Sequence, residues 1–273
     1  HYGGGDASGI YLMNVDGTGL VSLINAGVAS ATWSPDGQRL AFASTLAGHY
    51  DIFTIGVNGA GLFRVTTAPI DNTDPSWSPD GSTIAFGSRR AVPPNDAISI
   101  FVIHPDGSGE ANICPGNVTQ CSLAPDWSPD GTKIAFSRST GANGGGLDTK
   151  TVVMNADGSG AVVLAGSPGA NWSPDWSPDA RKLLYYGYPQ GNNALPTQVY
   201  VMNADGSNAI SLSALEGTTS FNNTQPRWSS DGTKIVFVSN RADAFKSDIY
   251  VMDADGRNAG RLTNTPGQND LPA

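Results

Sequence analysis

One pentapeptide, Trp-Ser-Pro-Asp-Gly, recurs along this chain and constrains its fold more than any other feature. It occurs three times intact and twice with one change, and successive tryptophans are 44, 50, 49 and 52 residues apart. Self-similarity with that period indicates a repeat architecture. Within each copy, Pro sets φ for the first central position of a turn, Asp bonds to the nearby backbone, and Gly accepts a positive φ. The copies begin at Trp33, Trp77, Trp127, Trp176 and Trp228.

A second pattern alternates with the first and consists of an apolar strand that runs into an Asp-Gly or Asn-Gly turn. Such a turn between apolar runs is the strongest short-range signal of a β-hairpin. An apolar alternating run also follows each Trp-bearing turn, so one repeat contains two hairpins. We name its strands a to d in chain order, with strand a ending at the Trp. Four antiparallel strands per repeat are typical of a β-propeller blade. The second pattern ends at Gly17, Gly59, Gly107, Gly158, Gly206 and Gly256.

The two hairpins do not occur equally often, because six c–d hairpins accompany only five a–b hairpins. We therefore predict an all-β fold, a β-propeller of six blades of four antiparallel strands with one blade incomplete in this chain. Residues 1–273 are predicted to form a single propeller domain, and residues 9–24 with 269–273 supply the incomplete blade. Three explanations of the missing hairpin stay open. The chain is an excerpt of a longer protein, the ring closes with a thin blade, or a neighbouring chain adds at the strand edge.

Composition and charge narrow the classes of function. Asp and Glu total 24 against 15 Lys and Arg, which gives a net charge of −9, but much of this acidity lies in the repeated turns. The chain has no basic patch that could neutralise phosphates, which excludes nucleic acid as a partner. It also has no run of 18 apolar residues, so no membrane span is predicted. The 34 Gly and the 14% of charged residues favour a periplasmic or secreted, and hence extracytoplasmic, protein.

The predicted topology divides the loops between two faces of the ring. The a–b and c–d turns, such as residues 127–131, are uniform and share one face, which we call the tight-turn face. The b–c and d–a connections, such as residues 189–197, vary and share the variable-loop face. Because binding residues concentrate on variable loops of a rigid scaffold, we expect a ligand there or in the channel mouth where strand a begins. Candidate ligand-binding residues are Asp71, Asp74, Asp126, Trp172, Asp175 and Arg227.

Each candidate also has a structural explanation. The charged residues could line a water-filled channel, and Trp172 either stacks on a sugar ring or partner side chain or packs on a loop. No nucleophile elbow or phosphate-binding Gly pattern occurs, so no catalytic residue is assigned. We predict a non-enzymatic binding or scaffold module for a protein or glycan partner on the variable-loop face. The alternative is a polysaccharide lyase or hydrolase that uses channel-mouth carboxylates.

Several smaller features complete the prediction. Cys114 and Cys121 flank a short Pro-Gly loop and are predicted to form a disulfide, with two free thiols as the alternative. Asn117 and Asn222 lie in accessible sequons for glycosylation if the source glycosylates. His104 replaces the usual Asn of a c–d turn, and we expect a structural role for it. No cofactor and no metal ligands are predicted, although a divalent cation could occupy the channel mouth. The incomplete blade offers a site for self-association.

The two alternating patterns resemble the repeats of the TolB-type propeller family, also called PD40 or WD40-like repeats, over residues 9–272. The resemblance implies a six-bladed propeller and an extracytoplasmic location in bacteria. The family includes periplasmic TolB, which binds the peptidoglycan-associated lipoprotein and other partners, and propeller domains of serine peptidases. Its repeats also resemble those of oligogalacturonate-type polysaccharide lyases. Ala180, Ser230 and residues 56–58 depart from the patterns in ways that a turn tolerates.

Overall fold

The computed structural model describes residues 9–14, 16–90, 98–114, 124–139, 149–164, 170–189, 192–216, 220–264 and 272. These residues form five four-stranded antiparallel sheets, which we number as blades 1 to 5 in chain order, and one two-stranded sheet. The two-stranded sheet consists of β1 (Gly9–Leu12) and β2 (Val21–Asn25). Blade 1 consists of β3 (Val28–Trp33), β4 (Arg39–Ser44), β5 (Asp51–Gly56) and β6 (Phe63–Arg64). Blade 2 consists of β7 (Asn72–Trp77), β8 (Ile84–Ser88), β9 (Ser99–Ile103) and β10 (Ala111–Asn112).

The last three blades follow the same order of strands. Blade 3 consists of β11 (Asp126–Trp127), β12 (Lys133–Ser139), β13 (Thr149–Asn155) and β14 (Val162–Val163). Blade 4 consists of β15 (Asn171–Trp176), β16 (Lys182–Gly187), β17 (Gln198–Asn203) and β18 (Ile210–Ser211), followed by a short 3-10 helix, Ser213–Glu216. Blade 5 consists of β19 (Asn223–Trp228), β20 (Lys234–Asp243), β21 (Lys246–Asp253) and β22 (Gly260–Arg261). No helix in the described ranges is long and apolar enough to cross a membrane.

The predicted all-β propeller is confirmed, but the predicted number of blades is corrected. The structure has five blades of four strands, and not six with one incomplete. Residues 9–25 supply only the c and d strands of a repeat, and β1 pairs with β2 alone among the described strands, so this hairpin remains a two-stranded sheet. The segment 269–273, which the sequence predicts to join it, lies outside the described residues except for Pro272. A single domain over residues 1–273 remains a prediction.

The middle strands of each blade are buried because neighbouring blades cover both of their faces. In β4 and β5 every residue except the two at the turn end is buried. The core lies between the blades, where one cluster joins Ile52 of blade 1 to Ile84 and Phe86 of blade 2. Equivalent clusters lie between the other neighbouring blades. Burial on both faces explains why strands b and c read as nearly continuous apolar runs.

The Ser of the pentapeptide closes the a–b turn. Ser34 Oγ donates to Asp36 Oδ1 at 2.5 Å and accepts the N–H of Arg39 at 2.9 Å. The same pair of bonds recurs in the other four turns. The Ser34 hydroxyl, followed by the Gln38 N–H, lowers the pKa of the Asp36 carboxyl by donating to it. Each pentapeptide is therefore a self-contained unit whose polar groups satisfy one another.

Ala180 occupies a turn position that Gly holds in the other four copies. Its φ is +58°, whereas Gly131 has +70° at the equivalent position. A non-Gly residue in the left-handed region destabilises the folded state by roughly 1–2 kcal/mol. Gly avoids this strain, but it loses more backbone entropy on folding, which cancels part of the gain. We expect Ala180→Gly to raise the free energy of unfolding by about 0.5–1 kcal/mol, measured by urea denaturation. The matched control, Gly131→Ala, should lower it by a similar amount. A destabilising Ala180→Gly would contradict the strain argument.

Candidate functional site: a charged channel with an aromatic rim

In four of the five blades, strand a pairs with strand b through a register irregularity near its start. In β15, pairing with β16 passes from Trp172↔Tyr186 to Asp175↔Leu184 with an irregularity between the two pairs. The residue three positions before the Trp is left-handed in blades 2 to 5 and precedes a Pro. Bulges of this kind re-aim a side chain and are common beside functional sites. The left-handed residues are Asp74, Ala124, Ser173 and Gln225, with φ between +50° and +58°.

In blades 2, 3 and 4 the residue immediately before the Trp ties its blade to the next one. Its side-chain oxygen accepts the backbone N–H of the Trp that ends strand a of the following blade. These bonds satisfy N–H groups at the inner strands, so the polar residues of the channel have a structural role as well as any binding role. The bonds run from the N–H of Trp127 to Ser76 Oγ (3.3 Å), of Trp176 to Asp126 Oδ2 (2.8 Å), and of Trp228 to Asp175 Oδ2 (2.7 Å).

Four charged side chains from blades 2 to 5 meet in the channel, and we call them the channel cluster: Asp74, Asp126, Asp175 and Arg227. Burial, followed by the charge of Asp175, raises the pKa of Asp126 to about 7. Burial raises the pKa of Asp175 to about 6, and the charge of Arg227 opposes this shift. Burial also raises the pKa of Asp74. Arg227 Nη1 lies 3.6 Å from Asp175 Oδ1. The positive charge of Arg227 also opposes the rise in pKa of Asp74 and Asp126, so a single guanidinium stabilises the charged form of all three carboxyl groups.

An aromatic group, Trp172, Tyr186 and Tyr188, borders the channel cluster. The Trp172 ring centroid lies 5.6 Å from that of Tyr186 and 5.4 Å from that of Tyr188. Burial raises the pKa of Tyr186 to about 12, and its hydroxyl is also affected by Ser173, Asp74 and other channel residues. Because Trp172 pairs with Tyr186 near the loop end of β16, the aromatic group lies closer to the variable-loop face than the carboxylates do.

The structure therefore brings together most of the predicted ligand-binding residues. Asp74, Asp126, Asp175 and Arg227 form the channel cluster, and Trp172 borders it through Tyr186. Asp71 has a different described role, because its Oδ1 accepts the N–H of Tyr50 at 3.1 Å and joins two loop segments of the variable-loop face.

Sequence reasoning missed Tyr186 and Tyr188, although one signal could have revealed the first. Tyr186 stands ten positions after its Trp, where the other four blades carry smaller side chains. One bulky side chain at a position where the other blades have smaller ones indicates that this residue has a role beyond packing the blade. The equivalent residues are Ala43, Gly87, Ser137 and Val238.

The remaining predicted residues are partly described. Cys114 is disulfide-bonded, and its predicted partner Cys121 lies outside the described residues, as does Asn117. Asn222 is exposed, and its Oδ1 accepts the N–H of Thr197 at 3.0 Å. Among the described residues no three His, Cys, Asp or Glu side chains form a group that could hold a metal ion. The disulfide pairing and the glycosylation sites remain predictions.

Comparison with known proteins agrees with the architecture. The family model described as the TolB beta propeller domain matches residues 4–96, 97–245 and 148–273. A TolB-like structure from Agrobacterium tumefaciens is 22% identical, with a TM-score of 0.75 over 95% of this chain and 90% of that chain. TolB from Acinetobacter baumannii is 17% identical, with a TM-score of 0.78 over 94% of this chain and 60% of that one.

A further similar structure is an enzyme. An oligogalacturonate lyase in complex with manganese is 15% identical, with a TM-score of 0.61 over 95% of this chain and 73% of that chain. At such identities the likeness concerns the fold alone. No functionally curated protein matches the chain.

Proposed function

We propose, from the premise that this chain belongs to the TolB β-propeller domain family, that it is a non-enzymatic scaffold that binds a protein partner at the variable-loop end of its channel. The observation that carries the proposal is the position of Trp172, Tyr186 and Tyr188 beside Arg227 and the channel carboxylates. Aromatic and Arg side chains dominate the energetics of protein interfaces. A glycan is the alternative ligand, because the same rings could stack on a sugar.

The hydrogen bonds that the channel carboxylates make to neighbouring blades favour a binding function over catalysis. Asp126 and Asp175 each use one carboxylate oxygen to hold the N–H of a neighbouring blade. An acid or base of a reaction must reach substrate and exchange its proton there, whereas these groups are held in the wall of the channel. The aromatic group lies nearer the loops, where a partner could reach it.

We also propose an extracytoplasmic location and self-association through the two-stranded sheet. The disulfide at Cys114 supports an oxidising compartment. The edge of β1 that faces away from β2 corresponds to the edge that strand b covers in each blade. No described strand covers that edge of β1, and such an edge is a template for pairing with another chain.

Polysaccharide cleavage is the second candidate function, and one observation favours it. Two carboxyl groups with raised pKa values, Asp126 and Asp175, lie near Arg227, which also influences the pKa of Tyr186. Perturbed groups that converge in this way are typical of acid–base catalysis. The fold is also shared with an oligogalacturonate lyase.

A photo-crosslinking side chain at position 188 tests the binding proposal. Tyr188→benzoylphenylalanine keeps an aromatic ring on the variable-loop side, and Arg181→benzoylphenylalanine places the same group on an exposed turn of the same blade on the opposite face. In extract of the source organism we expect a discrete protein adduct from position 188 and none from position 181. The adduct should disappear when Trp172→Ala is added, because a partner bound there would lose its central ring contact.

The same experiment separates the alternatives. Equal adducts at both positions, or an adduct that survives Trp172→Ala, would overturn the binding site. Cleavage of added oligogalacturonate by the wild-type protein, detected by mass spectrometry and abolished in Asp126→Asn, would replace the binding proposal with the enzymatic one.

A further inference from the structure

A groove on the tight-turn face, opposite the variable loops, lies between blades 1 and 2. It is a shallow, open groove of about 650 Å³. Blade 1 contributes Arg39 from strand b and Phe63 from strand d, and blade 2 contributes Ser82 and His104 from its two turns. No residue of the channel cluster lines this groove. It is therefore a separate place at which a ligand could bind.

Arg39 is the cationic end of the groove. Its guanidinium carbon lies 5.0 Å from the centroid of the Trp77 ring, so a cation–π contact with the next blade orients it. Asp36 is close enough for Arg39 to contribute to its lowered pKa, but Asp36 Oδ1 is already occupied by Ser34 Oγ and the Gln38 N–H. No described residue forms an ion pair with Arg39, so its guanidinium is held over the Trp77 ring while its N–H groups stay available for a planar anion.

His104 contributes a second polar atom whose role can be assigned from its partner. Its Nδ1 lies 3.0 Å from the carbonyl oxygen of Ser82. Because a carbonyl oxygen can only accept, Nδ1 must carry the hydrogen. Nε2 is then an acceptor that lies beside Gly109, so His104 forms part of the groove wall and does not donate to a carboxylate. The carboxylate of Asp106, which also lines the groove, accepts the N–H and Oγ of Ser108 at 2.9 and 2.7 Å, so it is engaged in its own turn.

A second groove shows which features are specific to the first. It encloses about 400 Å³ between blades 3 and 4, with Lys133 in the place of Arg39 and Val162 in the place of Phe63. Lys133 Nζ already donates to Asn155 Oδ1 at 3.1 Å. Phe63 is 45% exposed, so the first groove combines an oriented guanidinium with an accessible aromatic wall. The second groove lacks the oriented guanidinium, and its aromatic side chain, Trp176, is only 7% exposed, although the repeat makes the two grooves equivalent in position.

We propose that the groove between blades 1 and 2 binds an aromatic carboxylate, such as the C-terminal residue of a peptide that ends in an aromatic side chain. Arg39 would pair with the carboxylate in a bidentate arrangement, and Phe63 would pack against the ring. The inference is independent of the function proposed for the channel, because the two sites lie on opposite faces and share no residue.

The test uses N-acetyl-phenylalanine as the probe and its uncharged amide as the chemical control. Binding is followed by the indole N–H signals of Trp77 and Trp176 in two-dimensional NMR, since each Trp reports on one groove. We expect a saturable shift of the Trp77 signal with the carboxylate, with a dissociation constant in the millimolar range that a small ligand allows. Arg39→Gln should weaken binding by about tenfold or more, which corresponds to loss of one charge-assisted pair.

Lys133→Gln is the matched control and should leave the affinity unchanged. Equal binding of the amide, undiminished binding to Arg39→Gln, equal shifts of Trp77 and Trp176, or no saturable shift with the wild-type protein would each overturn the proposal. The spectrum of Arg39→Gln without probe checks that this variant is folded.

Discussion

The protein is expected to lose stability as the pH rises from about 4 to 7, in contrast to the usual behaviour of a buried, paired carboxylate. The pKa of Asp126 is about 7 in the folded protein against 3.8 for the free group, and that of Asp175 is about 6. The folded state therefore binds more protons than the unfolded state between these values, so the free energy of unfolding falls as pH rises through them. The cause is burial, which disfavours the charged carboxylate.

A second set of carboxyl groups has the opposite effect on stability at lower pH, because these groups raise the free energy of unfolding as the pH rises. The Asp of each pentapeptide turn has a lowered pKa because the turn Ser donates to it, and that of Asp231 falls to about 2. Their contribution is fully present above about pH 4 and is lost as the pH falls towards 2. We therefore expect maximum stability at about pH 4, where the two ranges meet.

The substitution Asp126→Asn measures how much this channel carboxyl group contributes to the pH dependence of the free energy of unfolding. The amide oxygen can still accept the N–H of Trp176, while the buried charge is removed. At pH 8 we expect the variant to be more stable than the wild type by up to about 4 kcal/mol, because the pKa of Asp126 is raised from 3.8 to about 7 and each unit corresponds to about 1.36 kcal/mol. Its stability should also change less between pH 5 and pH 8. Urea denaturation at four pH values in this range measures both effects.

The control for this prediction is Asp130→Asn in a pentapeptide turn. Asp130 has a lowered pKa, so its substitution should leave the slope between pH 5 and pH 8 unchanged. If Asp126→Asn keeps the wild-type slope, Asp126 is ionised in the folded protein and Arg227 must compensate for its burial.

The second large effect is expected at Asp51, at the start of strand c in blade 1. Its side chain is fully buried, and Arg64 Nη2 lies 2.6 Å from its Oδ2. Thr66 Oγ1 donates to its Oδ1 at 2.9 Å and accepts the N–H of Ile52. Asp51→Ala would leave this guanidinium and hydroxyl without their acceptor beside a closed core. We expect a loss of about 2–4 kcal/mol, below the 3–5 kcal/mol of a fully buried pair because Arg64 can reach solvent.

Two comparisons make this prediction specific. Blade 5 repeats the arrangement, with Arg261 Nη2 2.5 Å from Oδ2 of the fully buried Asp248, so Asp248→Ala should have a similar cost. Asp255 pairs with Arg257 at the surface and accepts its backbone N–H, so Asp255→Ala should cost no more than about 1 kcal/mol. Equal unfolding free energies for Asp51→Ala and Asp255→Ala would contradict the role of the buried pair.

Much of the blade could be predicted because its determinants are local. The bonds of a pentapeptide turn join residues at most five positions apart, as from Ser34 to Arg39, so residue types alone indicate the turn. Periodicity then placed Asp126 and Asp175 at equivalent positions before their tryptophans, which is why both could be predicted to line the channel. Tyr186 was recognisable only by comparing each strand b with its counterparts.

What the residues alone determined is the repeating unit: four antiparallel strands, the two tight turns, and the side chains that each strand a directs to the channel. The tertiary structure decided the number of complete blades, because counting motifs does not show which strands pair with β1. It also decided the chemistry of the channel. The raised pKa values of Asp126 and Asp175 arise only when blades exclude water around them and bring their charges together. Hydrogen bonds within a turn depend on neighbours in the chain, whereas solvent exclusion and charge coupling depend on residues that only folding makes neighbours.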